Sequence, residues 1–324
     1  MQTRASGLRG IGLILAAGTL LVPVSAAAAS SETPQVVTLG TMAGPMANAQ
    51  RAQPATLLRW QGGMVLVDAG DGVTDQLAQA GADPVKLRSI VITHIHADHV
   101  GGLFALLARR YQLIDPPVTI YGPPGTRRMV DGMVAAMEPL ILTSPALPGA
   151  PFRNPADGVR VVEFGDGDQL TVEGVAVRAV ANSHYLSGKS APDPVQAQSL
   201  SLRFELPGRS VVLTGDSGPS DKVTQLARGA DILVSSILDL DGAVATLRAS
   251  RPNAPPAFFA AARAHFAEHH LSPVDAGRLA QAAGVKRMVL THIGVAPARM
   301  KAARAAVTRT WKGPVAFARD LAAY

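Results

Sequence analysis

The sequence predicts an α/β protein, built either from two β-sheets packed face to face with helices outside or from a doubly wound sheet. Short β-branched runs recur along the chain with turn signals between them, which is typical of strands. Helical stretches separate many of these runs, so strands and helices are interspersed in both halves. The roughly 295 residues that follow the N-terminal segment suffice for one large domain or two modest ones.

The elements follow from residue type and period. The predicted strands are Val36–Leu39, Thr56–Arg59, Met64–Val67, Ser89–Thr93, Val118–Tyr121, Val175–Val180, Leu200–Phe204, Val211–Thr214, Ile232–Val234 and Met288–Thr291. The predicted helices are Val73–Gln79, Leu103–Arg109, Arg127–Met137, Lys222–Arg228, Phe258–Phe266 and Pro273–Ala283. The last is the clearest, because Ser272 can cap it and Gly284 can end it. Pro139–Pro155 is rich in proline without a clear period, so a loop is predicted there.

The N-terminal segment, residues 1–29, is predicted to be a secretory signal peptide. Arg4 and Arg9 supply a positive start, Ile11–Val24 is apolar, and small residues follow with A-x-A-type cleavage sites. The apolar stretch is short and broken by proline, so no stable membrane anchor is expected. We therefore expect a periplasmic or secreted protein whose mature domain spans residues 30–324.

Charge and composition limit the function classes. The formal net charge of +6 falls to about +4 when Arg4 and Arg9 leave with the signal peptide. The basic residues are scattered and aromatic residues make up only 4%, which argues against a nucleic-acid groove. No nucleic-acid partner is therefore expected. Cysteine is absent, so any metal has to be bound by His and Asp.

The most informative motif is Thr93–His99, which reads T-H-x-H-x-D-H and follows the apolar run Ser89–Ile92. Three imidazoles and a carboxylate at the end of a buried strand are too many polar groups to bury without a binding partner. Imidazole and carboxylate suit zinc, manganese or iron. The motif therefore predicts a divalent metal site.

Further polar residues lie where strand-like runs give way to loops. His184, Asp216 and His292 each follow such a run, and His270 lies just before the capped helix at Pro273–Ala283. The ends of adjacent strands share one edge of a sheet, so residues distant in sequence can converge there. We expect these side chains to join the motif.

These motifs resemble those of metallo-β-lactamase-fold hydrolases, and in particular the ribonuclease Z and arylsulfatase-like branch. The resemblance covers most of residues 36–294 and implies an αββα sandwich. The segments that carry it are Leu39-Gly40-Thr41 with Gly44-Pro45 (Met42 stands where Gly is usual), Leu66–Gly70, Thr93–His99, Thr214-Gly215-Asp216 with Ala227–Asp231, and Ala283–Lys286 through Thr291-His292.

The resemblance also implies a ligand set for two divalent ions, with zinc as the expected metal. The first ion would be held by His94, His96 and His184, and the second by Asp98, His99 and His292. Asp216 would bridge both ions. Asp68 would orient a ligand by a hydrogen bond, with a turn-capping role as the open alternative.

The same resemblance implies a mechanism. Two divalent ions lower the pKa of a shared water, supply hydroxide at neutral pH, and stabilise the oxyanion that develops on the substrate. The implied catalytic residues are Asp98, Asp68 and His270. His270 aligns with a histidine that lies near the scissile group in ribonuclease Z, so we expect it to stabilise charge or protonate the leaving group. Its neighbour His269 is the open alternative.

Export makes transfer RNA an improbable substrate, so the sequence-based expectation is an exported dinuclear hydrolase of small-molecule esters. Phosphodiesters and sulfate esters come first, with lactones or carboxylic esters as alternatives on the same fold. Two alternatives of another class are an iron-dependent oxidoreductase of the same superfamily and a non-catalytic nucleic-acid binder or effector built on the fold. A homodimer is left open.

Overall fold

The computed structural model describes residues 33–113, 115–143, 153–185 and 196–324. The predicted signal peptide and the expected export concern residues outside this part of the chain, and they stay predictions. Within the described residues, none of the helices is both long and apolar enough to cross a membrane.

The first sheet has seven strands in the order β14-β1-β2-β3-β4-β5-β6. Its strands are β1 (Gln35–Gly40), β2 (Ala55–Trp60), β3 (Gly63–Val67), β4 (Ser89–Val91), β5 (Val118–Gly122), β6 (Val159–Glu163) and β14 (Ala322–Ala323). Strands β3 to β6 are parallel, whereas β14, β1, β2 and β3 pair antiparallel.

The second sheet also has seven strands, in the order β13-β12-β11-β10-β9-β8-β7. Its strands are β7 (Gln169–Val172), β8 (Val175–Ala181), β9 (Leu200–Leu206), β10 (Arg209–Leu213), β11 (Ile232–Leu238), β12 (Arg287–Gly294) and β13 (Val315–Phe317). Strands β10 to β13 are parallel, and β7 to β10 pair antiparallel. Both sheets are therefore mixed.

The helices lie mainly between the strands in sequence. They are α1 (Val73–Gln79), α2 (Ala97–Val100), α3 (Leu103–Gln112), α4 (Thr126–Ala135), α5 (Glu138–Thr143), α6 (Asp221–Leu226), α7 (Leu240–Ser250), α8 (Pro256–His269), α9 (Pro273–Ala283) and α10 (Met300–Thr310). Ser272 caps α9 by accepting a hydrogen bond from the Asp275 backbone N–H, and Gly284 ends it with φ of 62°, as the sequence predicts.

Three clusters of buried side chains define the layers. One joins residues of both sheets, such as Val67 of β3 and Phe204 of β9, and so lies between them. A second packs the other face of the first sheet against α1, α3 and α4, and a third packs the second sheet against α6, α9 and α10. This confirms the αββα sandwich and excludes the doubly wound alternative.

Every predicted strand is present. Some of the elements that sequence reasoning missed are weakly buried, although α10 packs Ala303 and Val307 into the third cluster. Strand β6 has no fully buried residue, and helix α7 buries none of its side chains. Such elements lack the apolar period on which the predictions depend. The loop predicted for Pro139–Pro155 is wrong at its start, because α5 extends to Thr143. Pro139 is tolerated in the first turn of that helix.

Strand direction brings the polar motifs to one edge. Strands β3 and β4 are parallel, and so are β10, β11 and β12; β8 runs in the same direction as β10, since both are antiparallel to β9. Asp68 and Thr93 follow the ends of β3 and β4, and His184 and Asp216 follow the ends of β8 and β10. The carboxyl ends of these strands therefore carry the candidate site.

Candidate metal centre

The structure brings the sequence-predicted ligands into two adjoining groups. One contains three residues and the other four, and within each group all potential ligand atoms lie within 4.8 Å of one another. The groups are His94, His96 and His184, and Asp98, His99, Asp216 and His292. Their placement agrees with the division that the family resemblance implies, while their role as ligands stays a prediction.

In the first group, three imidazole nitrogens face one another. His94 Nε2 and His184 Nε2 lie 3.2 and 2.9 Å from His96 Nδ1. On their outer sides, His94 Nδ1 lies 3.1 Å from the Thr93 hydroxyl, and His184 Nδ1 lies 3.1 Å from the backbone carbonyl of His269. A carbonyl only accepts, so His184 carries its proton on Nδ1 and directs the lone pair of Nε2 at the centre.

In the second group, two carboxylates alternate with two imidazoles. His292 Nε2 lies 3.2 Å from Asp98 Oδ2 and 3.1 Å from Asp216 Oδ2. His99 Nε2 lies 3.6 Å from Asp98 Oδ2 and 3.6 Å from Asp216 Oδ1. His99, Asp216 and His292 are buried, whereas His96 of the first group is exposed, so the site opens to solvent on that side.

Asp216 is the residue that touches both groups. Its Oδ2 atom lies 3.8 Å from His184 Nε2 in the first group and 3.1 Å from His292 Nε2 in the second. It follows β10 in a Thr-Gly-Asp turn in which Gly215 has φ of 56°. This is the position that a bridging carboxylate requires.

Asp68 holds His99 in place. Its carboxylate accepts hydrogen bonds from the Thr93 backbone N–H (2.8 Å) and from the Thr93 hydroxyl (2.9 Å), and it lies 2.8 Å from His99 Nδ1. The turn that follows is capped by Asp71, whose side chain accepts from the Gly72 N–H at 3.0 Å. The geometry therefore favours the orienting role of Asp68 over the turn-capping alternative.

The centre has the properties of a cation site. His99 Nε2 and Asp216 Oδ1 are buried and have no hydrogen-bond partner within the described residues. Both face the other ring nitrogens and carboxylate oxygens of the two groups, and unsatisfied buried polar groups of this kind cost several kcal/mol. Imidazole nitrogens and carboxylate oxygens in this number match the donor sets of divalent metals, so the residues fit two such ions.

The protonation states agree with that fit. Burial lowers the pKa of His94 well below its usual value and that of His184 to about 4, so both are neutral near pH 7. Burial opposes the charges of Asp98 and Asp216, but nearby histidines outweigh it, so the pKa of Asp98 is lowered to about 2 and that of Asp216 is lowered well below its usual value. Burial likewise opposes a charge on His99, yet Asp68 and Asp216 outweigh it and raise its pKa, so positive charge is favoured at this point.

The structure distinguishes the two adjacent histidines. His270 lies beside the centre, with its ring 4.9 Å from that of His184 and a ring nitrogen within 4.8 Å of the ligand atoms of His184 and Asp216. The ring of His269 is buried, and its Nδ1 lies 2.5 Å from the Ser183 carbonyl. Helix α8 ends at His269 and the backbone of His270 is extended, which turns the two side chains in different directions. Of the two, His270 is therefore the one that lies beside the ligand groups, while its catalytic role stays a prediction.

Two further residues shape the centre. Tyr185 accepts a hydrogen bond from the Ile95 N–H at 3.0 Å, and its ring lies 5.1 Å from that of His96. In the sequence, the one indication that Tyr185 belongs to the site is that it directly follows His184, a predicted ligand. At Gly44, a Cβ atom would lie 2.2 Å from the side chain of Asp98, so only glycine allows this loop to approach the site.

Comparisons with known proteins agree with this geometry. The sequence profile described as "Beta-lactamase superfamily domain" matches residues 64–293. The chain is 33% identical over 296 residues to a protein named Ribonuclease Z from Mycolicibacterium paratuberculosis, a match that covers 89% of this chain and 96% of that protein.

Solved structures share the fold. The metallo-beta-lactamase fold protein YhfI from Bacillus subtilis aligns with a TM-score of 0.65 and 19% identity, covering 90% of this chain and all of that one (100%). The short form of human tRNase Z aligns with a TM-score of 0.60 and 23% identity, covering 90% and 98% of the two chains.

These relatives correct two sequence-based expectations. An exported hydrolase of small-molecule esters that meets no nucleic acid is contradicted, because relatives matched along nearly their whole length are named ribonucleases. The lactonase, esterase and oxidoreductase alternatives gain no support from them. The scattered positions of the basic residues in the sequence do not show where these residues lie in the fold: Arg59, Lys86 and Arg88 line one cleft.

The profile match covers more than half of the chain, and the ribonuclease relative is matched over almost its full length. The chain is therefore a metal-dependent hydrolase of ester bonds that belongs to the beta-lactamase superfamily and, within it, to the ribonuclease Z family.

Proposed function

We propose that this protein is a zinc-dependent ribonuclease that hydrolyses phosphodiester bonds in RNA, with transfer-RNA precursors as the first candidate substrates. The observation that carries the proposal is the pair of adjoining ligand groups joined at Asp216. It occurs in a chain that is 30–34% identical to several proteins named Ribonuclease Z. The name of the human structural relative, tRNase Z, suggests the kind of RNA.

Zinc is proposed because of the donor set. Cysteine is absent, and five imidazoles with two carboxylates surround the centre, as counted from the two groups of three and four. Zinc accepts both ligand types and imposes no rigid geometry of its own. Manganese and iron are the competitors that the same donors would accept.

Different residues of the site would have different roles in phosphodiester hydrolysis. When bound, two divalent ions would lower the pKa of a shared water and offset negative charge on the scissile phosphate. Asp216 would keep the two ligand groups together, Asp98 would complete the second, and Asp68 would fix His99 with Nε2 facing inward. The exposed side at His96 leaves a route for a phosphate to enter.

His270 is placed to act on the leaving group. Burial lowers its pKa to about 4, so the ring enters the reaction neutral and with one N–H to donate. The negative charge of a bound phosphate would favour uptake of a proton from solvent water, and the protonated ring would pass a proton to the departing oxygen and return to its neutral form. His270 lies on the His184 side of the centre, which is where we place that oxygen.

The direct test of the proposed function uses a transfer-RNA transcript extended at both ends and labelled at the 5′ end. The zinc-loaded protein is expected to cleave it at a defined bond, and Asp216→Ala to slow cleavage about 100-fold or more, the scale set by losing one strong electrostatic contact to the transition state. Asp131→Ala, an exposed carboxylate on α4, is the matched control. A protein that holds two zinc ions and leaves the transcript intact would contradict the proposal.

Asp68→Asn tests the orienting role. An amide cannot accept all the hydrogen bonds that the carboxylate receives from Thr93 and His99, so zinc affinity is expected to fall about 10- to 100-fold. Competition with a chromophoric chelator measures this. The control is Asp71→Asn, the same change in the same turn, at a side chain that accepts a hydrogen bond from the Gly72 N–H instead. Equal zinc affinity in both variants would show that Asp68 does not position a ligand.

His270→Gln separates catalysis from metal binding. The variant is expected to retain its zinc but to lose about 100-fold or more in kcat on the transcript, because a general acid contributes on this scale. The loss should be smaller for bis(p-nitrophenyl) phosphate, whose leaving group needs no proton. Metal analysis and rates are compared with those of His265→Gln, an exposed histidine on α8. Loss of zinc from the His270 variant alone would make it a ligand instead.

A further inference from the structure

A cleft of about 620 Å³ lies at the end of the first sheet opposite to the metal centre. Gly63 at the start of β3 and Arg88 just before β4 line it, whereas Asp68 and Thr93 follow the other ends of the same two strands. About 16 Å of extended strand separates Gly63 from Asp68. The cleft is therefore distinct from the metal centre and has no part in the chemistry described above.

Three cationic side chains line this cleft. Arg59 comes from β2, Lys86 from the turn before β4, and Arg88 from the residue that precedes β4. The side chain of Arg88 makes no hydrogen bond or ion pair within the described part of the chain. Lys86 has only Asp83 at 4.0 Å, in a pair whose side chains are 73% and 47% exposed and which is correspondingly weak.

Little negative charge faces the three cations of the cleft. Glu173 is the acidic residue among those that line the cleft, and its carboxylate accepts a hydrogen bond from Ser89 Oγ at 2.6 Å. Arg59 donates from Nε to Gln35 Oε1 at 2.7 Å and from Nη1 to the Ala80 carbonyl at 3.3 Å. These neutral partners hold its guanidinium in place without cancelling its charge. The cleft therefore presents net positive charge.

An aromatic platform completes the cleft. Trp60 lines the cleft; it is half-buried and packs against the cluster of side chains between the two sheets. A Cβ atom at Gly63 would lie 2.6 Å from the indole, so glycine at this position lets the ring lie against the β2–β3 hairpin. The indole N–H makes no hydrogen bond with any residue that the structure describes. A fixed aromatic ring beside cations is the arrangement that binds the bases and phosphates of single-stranded nucleic acid.

We propose that this cleft binds a single-stranded segment of RNA, with one base stacked on Trp60 and the adjoining phosphates paired with Arg59, Lys86 and Arg88. The proposal rests on the proposed function, because it assigns the cleft to the same substrate. It makes the cleft a contact that strengthens RNA binding without touching the scissile bond. A substrate too small to reach from the metal centre to the cleft gains nothing from it.

The first test measures binding of a twelve-residue oligouridylate to the zinc-loaded protein. Quenching of tryptophan fluorescence reports the binding. Trp311 is buried beneath α10, so quenching by the oligonucleotide is expected in the unchanged protein and in Trp311→Phe but not in Trp60→Phe. Trp60→Ala is expected to weaken binding about 10-fold or more, the scale of losing one stacked base. Since Trp60 packs on the core, a second variant is needed.

Arg88→Gln is that variant, because Arg88 is exposed and its loss spares the fold. It should weaken oligonucleotide binding and reduce the dependence of log K on log salt concentration by about one. It should also raise KM for the transcript while leaving kcat and the turnover of bis(p-nitrophenyl) phosphate unchanged. Arg309→Gln, an exposed arginine on α10, is the matched control.

The outcomes separate this proposal from the proposed function. Cleavage of the transcript with an unchanged KM in the Trp60 and Arg88 variants would contradict RNA binding at the cleft and would still support the ribonuclease activity. Oligonucleotide binding at Trp60 without any cleavage would support the cleft and contradict the ribonuclease. Binding to vesicles containing phosphatidylserine, with none to the oligonucleotide, would overturn the RNA assignment in favour of a membrane surface.

Discussion

The site depends on one electrostatic constraint: ring nitrogens of imidazoles and oxygens of carboxylates lie 2.9–3.8 Å from one another in a largely buried space. Outer hydrogen bonds fix two of these rings with Nε2 facing inward, through the His269 carbonyl for His184 and through Asp68 for His99. Such a cluster is unfavourable unless positive charge enters it. The raised pKa of His99 shows the same demand, since Asp68 and Asp216 favour a cation at this point. A pair of divalent ions satisfies it.

The rest of the fold serves to hold those groups in place. Two sheets supply strand ends to one edge, and backbone strain is accepted there: Asp68 and His292 have φ of 60° and 45°, values that cost about 1–3 kcal/mol each for residues other than glycine. The Ile293 N–H donates to the Thr41 carbonyl at 2.8 Å, which ties the last ligand strand to the loop that carries Gly44. Packing on both faces of each sheet opposes relaxation of this strained edge.

Sequence reasoning predicts the parts of this molecule whose signal is local. The run from Thr93 to His99 indicates a metal site because its spacing is visible in a few residues, and the inner strands follow from their apolar runs. Helix α7 buries no side chain, and β6 is weakly buried, so neither has a period to detect. The Trp60 cleft is beyond this kind of reasoning, because its three cations lie up to 29 positions apart (88 − 59) and meet only when β2, β3 and β4 align. The inferred substrate failed because it rested on the expected export and on the scattered basic residues, whereas relatives matched over nearly their whole length are named ribonucleases.

The central claim is that this cluster exists to hold two divalent ions. Native mass spectrometry of the zinc-loaded protein at neutral pH, with Asp216→Asn measured alongside, tests it most directly. Two zinc ions are expected for each chain and fewer than two in the variant, because Asp216 contacts His184 of one ligand group and His292 of the other. A chain that stays folded and binds no zinc, or a variant that keeps both ions with unchanged affinity, would contradict it.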